Sequence, residues 1–330
     1  MVNKARILSL GSYLPETVLS NADLEKMVET TDEWIMTRTG IRERRIASSD
    51  ESSSDMGTKA AEAALAKAGL TANDIDFIIT ATMTPDYLMP ATAALIQSKL
   101  DRADIPSMDI QAACSGFLYG LSIAQAYIAA GMYRRILLVA TEKMSSFVDY
   151  TDRKTCVLFG DGASAAVIAD SGAGLRIENS ILGADGTLSE LIIVPAGGSK
   201  KPSSQATLAA GDHYLKVSGQ EVFKHAVRRM AAAADECLTQ AGLKKEEIHW
   251  LVPHQANGRI IDAIAKQMAI PEERVYKTLE KYGNTSASGI GIALDELWQQ
   301  ENIQLNDKLL LVAFGGGLTW GASLLTKVAD

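Results

Sequence analysis

The 330 residues carry 40 acidic against 32 basic side chains, a formal net charge of −8, and 47% of them are hydrophobic. That is the composition of a globular chain, long enough for about two domains of roughly 150 residues or one duplicated unit, and it excludes disorder as the dominant state. Net acidity argues against a general nucleic-acid binder, whose phosphate contacts need a basic face.

Residues 1–11 hold Lys4 and Arg6 around a short apolar stretch and no small-residue cleavage site, so no signal segment is expected. No run approaches the roughly 18 apolar residues of a membrane span, and a cytoplasmic location with reduced thiols is expected. Further along, β-branched apolar runs such as Phe77-Ile78-Ile79 and Ile136-Leu137-Leu138-Val139 alternate with Ala-rich helical stretches, including one after Pro90. This alternation reads as α/β with buried strands. Three cysteines, Cys114, Cys156 and Cys237, lie far apart and outside any CxxC or Cys/His pattern, which predicts neither a disulfide framework nor a metal site.

An internal repeat carries more information. Ala68-Gly69-Leu70 matches Ala241-Gly242-Leu243, an offset of 242 − 69 = 173, and an apolar strand follows each. The same offset aligns Cys114-Ser115-Gly116 with Ala287-Ser288-Gly289 and Leu137-Leu138-Val139-Ala140 with Leu310-Leu311-Val312-Ala313. Two copies of one α/β unit are therefore expected, residues 1–172 and residues 173–330, joined near the turn residues at 170–174. Cys114 is the counterpart of Ala287, and His254 of Ala81, so each half keeps the scaffold while one carries the reactive group.

Cys114 sits between an apolar strand and a helical pattern, where a helix N-terminus would favour thiolate. His254 ends the run Trp250-Leu251-Val252-Pro253, Asn284 lies in Gly283-Asn284-Thr285-Ser286, and Gly315-Gly316-Gly317 follows another strand. Taken singly, each suits an ordinary core or turn residue. Taken together, a thiol, an imidazole, an amide and a loop of unhindered N–H groups form a candidate acyl-transfer site.

Ala113-Cys114-Ser115-Gly116, His254-Gln255-Ala256-Asn257, Gly283-Asn284-Thr285-Ser286 and Gly315-Gly316-Gly317-Leu318-Thr319-Trp320-Gly321, in this order, resemble the active-site motifs of β-ketoacyl-acyl-carrier-protein synthase III, the initiating condensing enzymes of bacterial fatty acid synthesis. The similarity runs over essentially the whole chain, including Asp32-Glu33-Trp34-Ile35 and Phe159-Gly160-Asp161-Gly162. It implies a thiolase-like αβαβα fold of five layers built from two duplicated halves, a homodimer, and an acyltransferase with no metal and no tightly bound cofactor. Cys114 would accept the acyl group of acyl-CoA, with the N–H groups of Cys114 and Gly316 as oxyanion hole. His254 and Asn284 would promote decarboxylation of malonyl-acyl-carrier-protein, with Phe314 gating beside them.

The same resemblance implies that Trp34 and Arg153 sandwich the adenine of coenzyme A, that Arg38 contacts the nucleotide, and that Thr30, Gly219, Phe223, Ala256 and Asn257 line its channel. Lys224, Arg228, Arg259 and Lys266 would offer the acidic carrier protein a local basic face, and Met89 would reach across the dimer to the partner's acyl pocket. A synthase III-like acyltransferase of secondary metabolism, and a non-catalytic acyl-CoA or carrier-protein binder, remain the alternatives. The preferred primer stays open, because a flexible Met89 adapts to several acyl shapes.

Overall fold

Strands Phe77–Ala81 and Gly162–Ala169 are buried along their whole length in the computed structural model, which describes residues 4–300 and 303–329; Met1, Val2 and Asn3 of the segment read above for targeting lie outside them. Among the described residues, nine strands join one sheet. They are β1 (Arg6–Tyr13), β2 (Phe77–Ala81), β3 (Ser107–Ile110), β4 (Arg135–Glu142), β5 (Gly162–Ala169), β6 (Gly174–Ala184), β7 (Trp250–Pro253), β8 (Lys308–Gly315) and β9 (Thr319–Val328), and they lie in the order β7-β8-β9-β6-β1-β5-β4-β2-β3.

The register repeats on either side of a short seam. β2 runs parallel to β4 with Phe77 opposite Ile136, and β7 runs parallel to β8 with Trp250 opposite Leu309, so both partners are displaced by 250 − 77 = 309 − 136 = 173. β5 returns antiparallel beside β4 as β9 does beside β8. The halves meet where β1 pairs β6 at only Arg6↔Arg176 and Ile7↔Leu175, which joins them into one sheet. β3 has no full counterpart; beside β7 there is only the isolated bridge Leu251↔Val275.

The helices that set the layers and the site are α1 (Asp32–Thr39), α2 (Ser53–Ala68), α3 (Thr92–Lys99), α4 (Gly116–Ala129), α5 (Gly219–Ala241), α6 (Gly258–Met268) and α7 (Ser288–Gln299). Alternate strand residues feed opposite layers. Leu138, Leu309 and Leu311 join Phe117 and Leu121 of α4 and Ile290 and Leu294 of α7 in the middle layer. Leu137 and Val139 pack against Met56 and Ala60 of α2, and Leu310 and Val312 against Met230 of α5 and Ile261 of α6. Each fully buried Leu or Phe contributes about 1.5–3 kcal/mol. The result is the αβαβα order that the resemblance implies.

The repeated Ala-Gly-Leu has a local cause. Gly69 and Gly242 end α2 and α5 in the left-handed conformation, at φ 65° and 69°, which glycine adopts without a Cβ penalty. No helix among the described residues is long and apolar enough to cross a membrane.

Candidate active site

The thiol stands on a tight turn. After β3, Ala112 and Ala113 (φ 45°) turn the chain into a single 3-10 turn, Ala113–Ser115, that runs directly into α4. Glycine at 116 is required by close packing, since a Cβ there would stand 2.9 Å from the Ala81 Cβ and 3.3 Å from the Ala287 Cβ. Ala81 and Ala287, the repeat counterparts of His254 and Cys114, thus converge beside the Cys114 turn.

The expected thiolate is not the resting state. Burial pushes the Cys114 thiol up to about 12, the neighbouring Glu142 charge adds to that, and the Ser286 hydroxyl at 3.5 Å only partly offsets it. The turn at the head of α4 is present as expected, but desolvation outweighs a helix-terminus effect that is worth at most about 2 kcal/mol.

His254 and Asn284 are delivered by the other half. His254 follows β7 directly, is only 3% exposed, and hangs from β8 by its N–H to the Val312 carbonyl at 2.8 Å. Burial lowers its pKa to about 4, so the imidazole is neutral at ordinary pH, and its Nδ1 is enclosed with no hydrogen-bond partner. Asn284 is 6% exposed and is oriented by its neighbour: its Oδ1 accepts the Ser286 N–H at 2.9 Å, which leaves the NH2 group to the cavity it lines. Ser286 itself sits at φ 52°, a conformation disfavoured for a residue with a Cβ.

The glycine loop closes over the thiol turn. A Cβ on Gly315 would stand 2.6 Å from the Cys114 nitrogen, so only glycine lets the strand end approach this closely. Thr319 Oγ1 donates to the Ala112 carbonyl at 2.8 Å and ties the far side of the loop to the same turn.

These groups line one cavity of about 1060 Å³. Cys114, His254, Asn284, Phe314 and Gly316 lie along it, as do Trp34, Arg38, Arg153, Gly219, Phe223, Ala256, Asn257, Lys224 and Arg259. Trp34 is contacted by two guanidinium groups, Arg38 and Arg153, each 5.0 Å from its ring. The Asn257 side chain caps α6 through the Arg259 N–H and donates to the Arg38 carbonyl, linking α6 to α1.

Four predicted residues lie elsewhere. Thr30 is off the lining, its hydroxyl buried without a hydrogen-bond partner. Arg228 and Lys266 are exposed on α5 and α6, and Met89 is 85% exposed on the loop before α3. Sequence reasoning missed Glu142 and Ser286, which stand behind the thiol, together with Met83 and Met144 of the lining. A signal for Glu142 existed: a carboxylate closes an otherwise apolar strand run at the position whose repeat partner is Gly315 (315 − 142 = 173). Among the described residues no group of three or more His, Cys, Asp or Glu side chains could hold a metal ion.

Known proteins resemble this chain in sequence and fold. The family model described as 3-oxoacyl-[acyl-carrier-protein (ACP)] synthase III matches residues 108–186, and the model of its C-terminal part matches residues 238–327. The beta-ketoacyl-[acyl-carrier-protein] synthase III of Chlamydia pneumoniae is 60% identical over 326 residues, 98% of this chain and 97% of that protein. That of Caldanaerobacter subterraneus is 50% identical over 321 residues, 97% of either chain. The crystal structure of 3-oxoacyl-[acyl-carrier-protein] synthase III from Aquifex aeolicus superposes with a TM-score of 0.90 at 45% identity, covering 98% of this chain and 99% of that one. The layered fold, the two-half cavity and the matches over nearly the full length lead to one conclusion: the chain belongs to the β-ketoacyl-acyl-carrier-protein synthase III family.

Proposed function

We propose that the cavity performs the condensation that initiates fatty acid synthesis, joining an acyl group from acyl-CoA to malonyl-acyl-carrier-protein to give β-ketoacyl-acyl-carrier-protein, CoA and carbon dioxide. The observation that carries this reading is the meeting of Cys114 from one half with His254 and Asn284 from the other in one cavity.

Cys114 attacks the thioester, and the N–H groups of Cys114 and Gly316 hold the oxyanion of the tetrahedral intermediate, consistent with the tight approach of Gly315 to the thiol turn. CoA departs and malonyl-acyl-carrier-protein enters. His254 and Asn284 then donate hydrogen bonds to the malonyl thioester oxygen, stabilising the enolate formed as carbon dioxide leaves, and the carbanion attacks the acyl-Cys. A neutral imidazole and an uncharged amide suit this step, because decarboxylation needs donors rather than a strong base. Phe314, 4% exposed, shapes the cavity beside them.

At the cavity mouth, the Arg153 guanidinium, now 5.0 Å from the Trp34 ring, swings away so that the two take the adenine between them, with Arg38 on the nucleotide and Gly219, Phe223, Ala256 and Asn257 along the channel. Thr30 contributes only from behind that lining. Lys224, Arg228, Arg259 and Lys266 dock the acidic carrier protein on the exposed faces of α5 and α6. The chain works as a homodimer in the cytoplasm, without metal or bound cofactor. Tyr87, Leu88 and Met89, exposed by 61%, 92% and 85%, form the loop that a second copy covers, bringing Met89 to the partner's acyl pocket. The boundary between the halves falls at 172/173, between β5 and β6.

The test is the product formed from acyl-CoA and purified malonyl-acyl-carrier-protein. β-Ketoacyl-carrier-protein and carbon dioxide in equal amounts are expected from wild type, and Cys114→Ala should lose the β-ketoacyl product without needing to lose decarboxylation. Transfer of the acyl group to another nucleophile, release of free acid, or binding without turnover would each contradict the reading.

A further inference from the structure

Behind the half-buried nucleophile lie two buried groups in file, Ser286 and Glu142. Cys114 Sγ is 3.5 Å from Ser286 Oγ, and Ser286 Oγ is 3.0 Å from Glu142 Oε1. Glu142 ends β4, is wholly buried, and is held on its other oxygen by the Met83 N–H at 3.1 Å and the Thr84 hydroxyl at 2.8 Å. A carboxylate can only accept, and a serine hydroxyl has one proton. With Glu142 ionised, Ser286 donates that proton to Glu142, and its oxygen is left to accept from the Cys114 thiol. The file is therefore ordered for a proton to leave the sulfur.

We infer that Ser286 and Glu142 form a proton relay that takes the Cys114 proton during acylation and returns it after condensation. The inference rests on Cys114 being the nucleophile. In the first half, the thiol proton passes to Ser286 Oγ as the Ser286 proton passes to Glu142 Oε1. Sγ bonds to the acyl carbon, the acyl–sulfur bond to CoA breaks, and CoA leaves as thiolate and takes a proton from water. In the second half, the malonyl-derived carbanion bonds to the acyl carbon, the Cys114 Sγ–acyl bond breaks, and Glu142 returns its proton through Ser286 to the sulfur. Between the two halves the proton is stored on Glu142.

The setting suits this task. Burial raises the Glu142 carboxyl to about 7, so that it gives and takes a proton near neutrality, and a thiol pushed up by its surroundings needs an acceptor. Cys114 is the titratable group facing it from the nucleophile turn. Residues 82–84 and 286–287 present hydroxyl, thioether and N–H groups, Lys143 turns its Nζ to the Ser48 and Glu51 carbonyls, and Asp161, beside the strand partner Gly162, is turned to Ala47 and Ser145. Ser286 also orients Asn284, but through its backbone N–H, so the two duties separate.

The experiment follows iodoacetamide alkylation and acyl-CoA acylation of Cys114 by intact-protein mass between pH 5.5 and 9, in wild type, Glu142→Gln and Ser286→Ala. Malonyl-acyl-carrier-protein decarboxylation without primer serves as control. Wild-type rates should rise through an apparent pKa near 7. Either variant should lose that limb and slow by about 100-fold at pH 7, the scale of general-base catalysis, with the double variant no slower. Decarboxylation, which relies on His254 and Asn284, should persist in both variants. Unchanged rates and pH profile, or decarboxylation falling in step with acylation, would overturn the relay. A wild type that is never acylated on Cys114 would instead overturn the nucleophile assignment.

Discussion

The proposed donor roles of His254 and Asn284 require a neutral imidazole and an oriented amide, and burial of His254 and the Ser286 N–H on Asn284 Oδ1 favour both. Removing either donor, in His254→Ala or Asn284→Ala, should lower malonyl-acyl-carrier-protein decarboxylation by about 100-fold, in line with loss of one oxyanion donor, while Cys114 still becomes acylated. A variant losing acylation to the same degree would contradict the division of labour. Burial also makes His254 a pH liability. The unfolded imidazole binds a proton below about 6.5 and the folded one only below about 4, so stability is full above pH 6.5 and falls as pH drops towards 4. Glu142 slopes the other way. Its folded carboxyl holds a proton up to about 7 where an ordinary one holds it to 4.5, so its contribution is present below pH 4.5 and is lost as pH rises through 7. Denaturant melts should therefore show wild type losing stability between pH 6.5 and 4.5 more steeply than His254→Gln; parallel curves would contradict this. At this scale Cys114, His254, Asn284 and the glycines were legible because each stands in a short, ordered motif. Ser286 stands in the Asn284 motif and Glu142 at the repeat position of Gly315, but neither pattern reveals that the fold stacks the two behind the sulfur.

Among the elements, the contact between the end of β8 and the turn before α4 matters most to the chemistry. Gly315→Ala would set a Cβ 2.6 Å from the Cys114 nitrogen, so the loop or the nucleophile turn must shift. Overpacking of this kind costs about 1–3 kcal/mol in stability, and displacing one oxyanion N–H should cut acylation by at least about 100-fold. Rapid-quench acylation together with a denaturant melt would measure both, and wild-type acylation would contradict the role given to this approach. The 173-residue offset made the paired helices and strands readable because αL glycines, buried strand runs and the nucleophile-like turn recur at matching positions. It did not reveal that β3 lacks a full counterpart, nor that β1 and β6 join the halves into one sheet through two residue pairs. Such edge pairings depend on how the halves dock rather than on any local pattern.

Across the chain, the proposed reaction requires a protein of net charge −8 to dock an acidic carrier protein, which places the burden on a local basic face. Arg259 is exposed at the N-terminus of α6 and lines the cavity mouth, whereas Lys224 is already paired with Glu221 at 2.7 Å. Arg259→Glu should raise KM for malonyl-acyl-carrier-protein more than KM for acyl-CoA, with the gap narrowing at high salt. Equal effects on both substrates would contradict docking there. The duplicated layers were legible in the sequence, as was the pairing of Cys114 from one half with His254 and Asn284 from the other. The proposed covering of the exposed Tyr87-Leu88-Met89 loop would depend on a second surface, which a single chain does not present.

The decisive measurement is the intact mass of the wild-type protein after mixing with a panel of acyl-CoAs, acetyl to medium-chain and branched, and again after adding malonyl-acyl-carrier-protein. One acyl increment on Cys114, discharged as β-ketoacyl-carrier-protein appears, is the expected result and ranks the primers. Condensation without any covalent increment, or an increment that persists in Cys114→Ala, would contradict an acyl-Cys114 route.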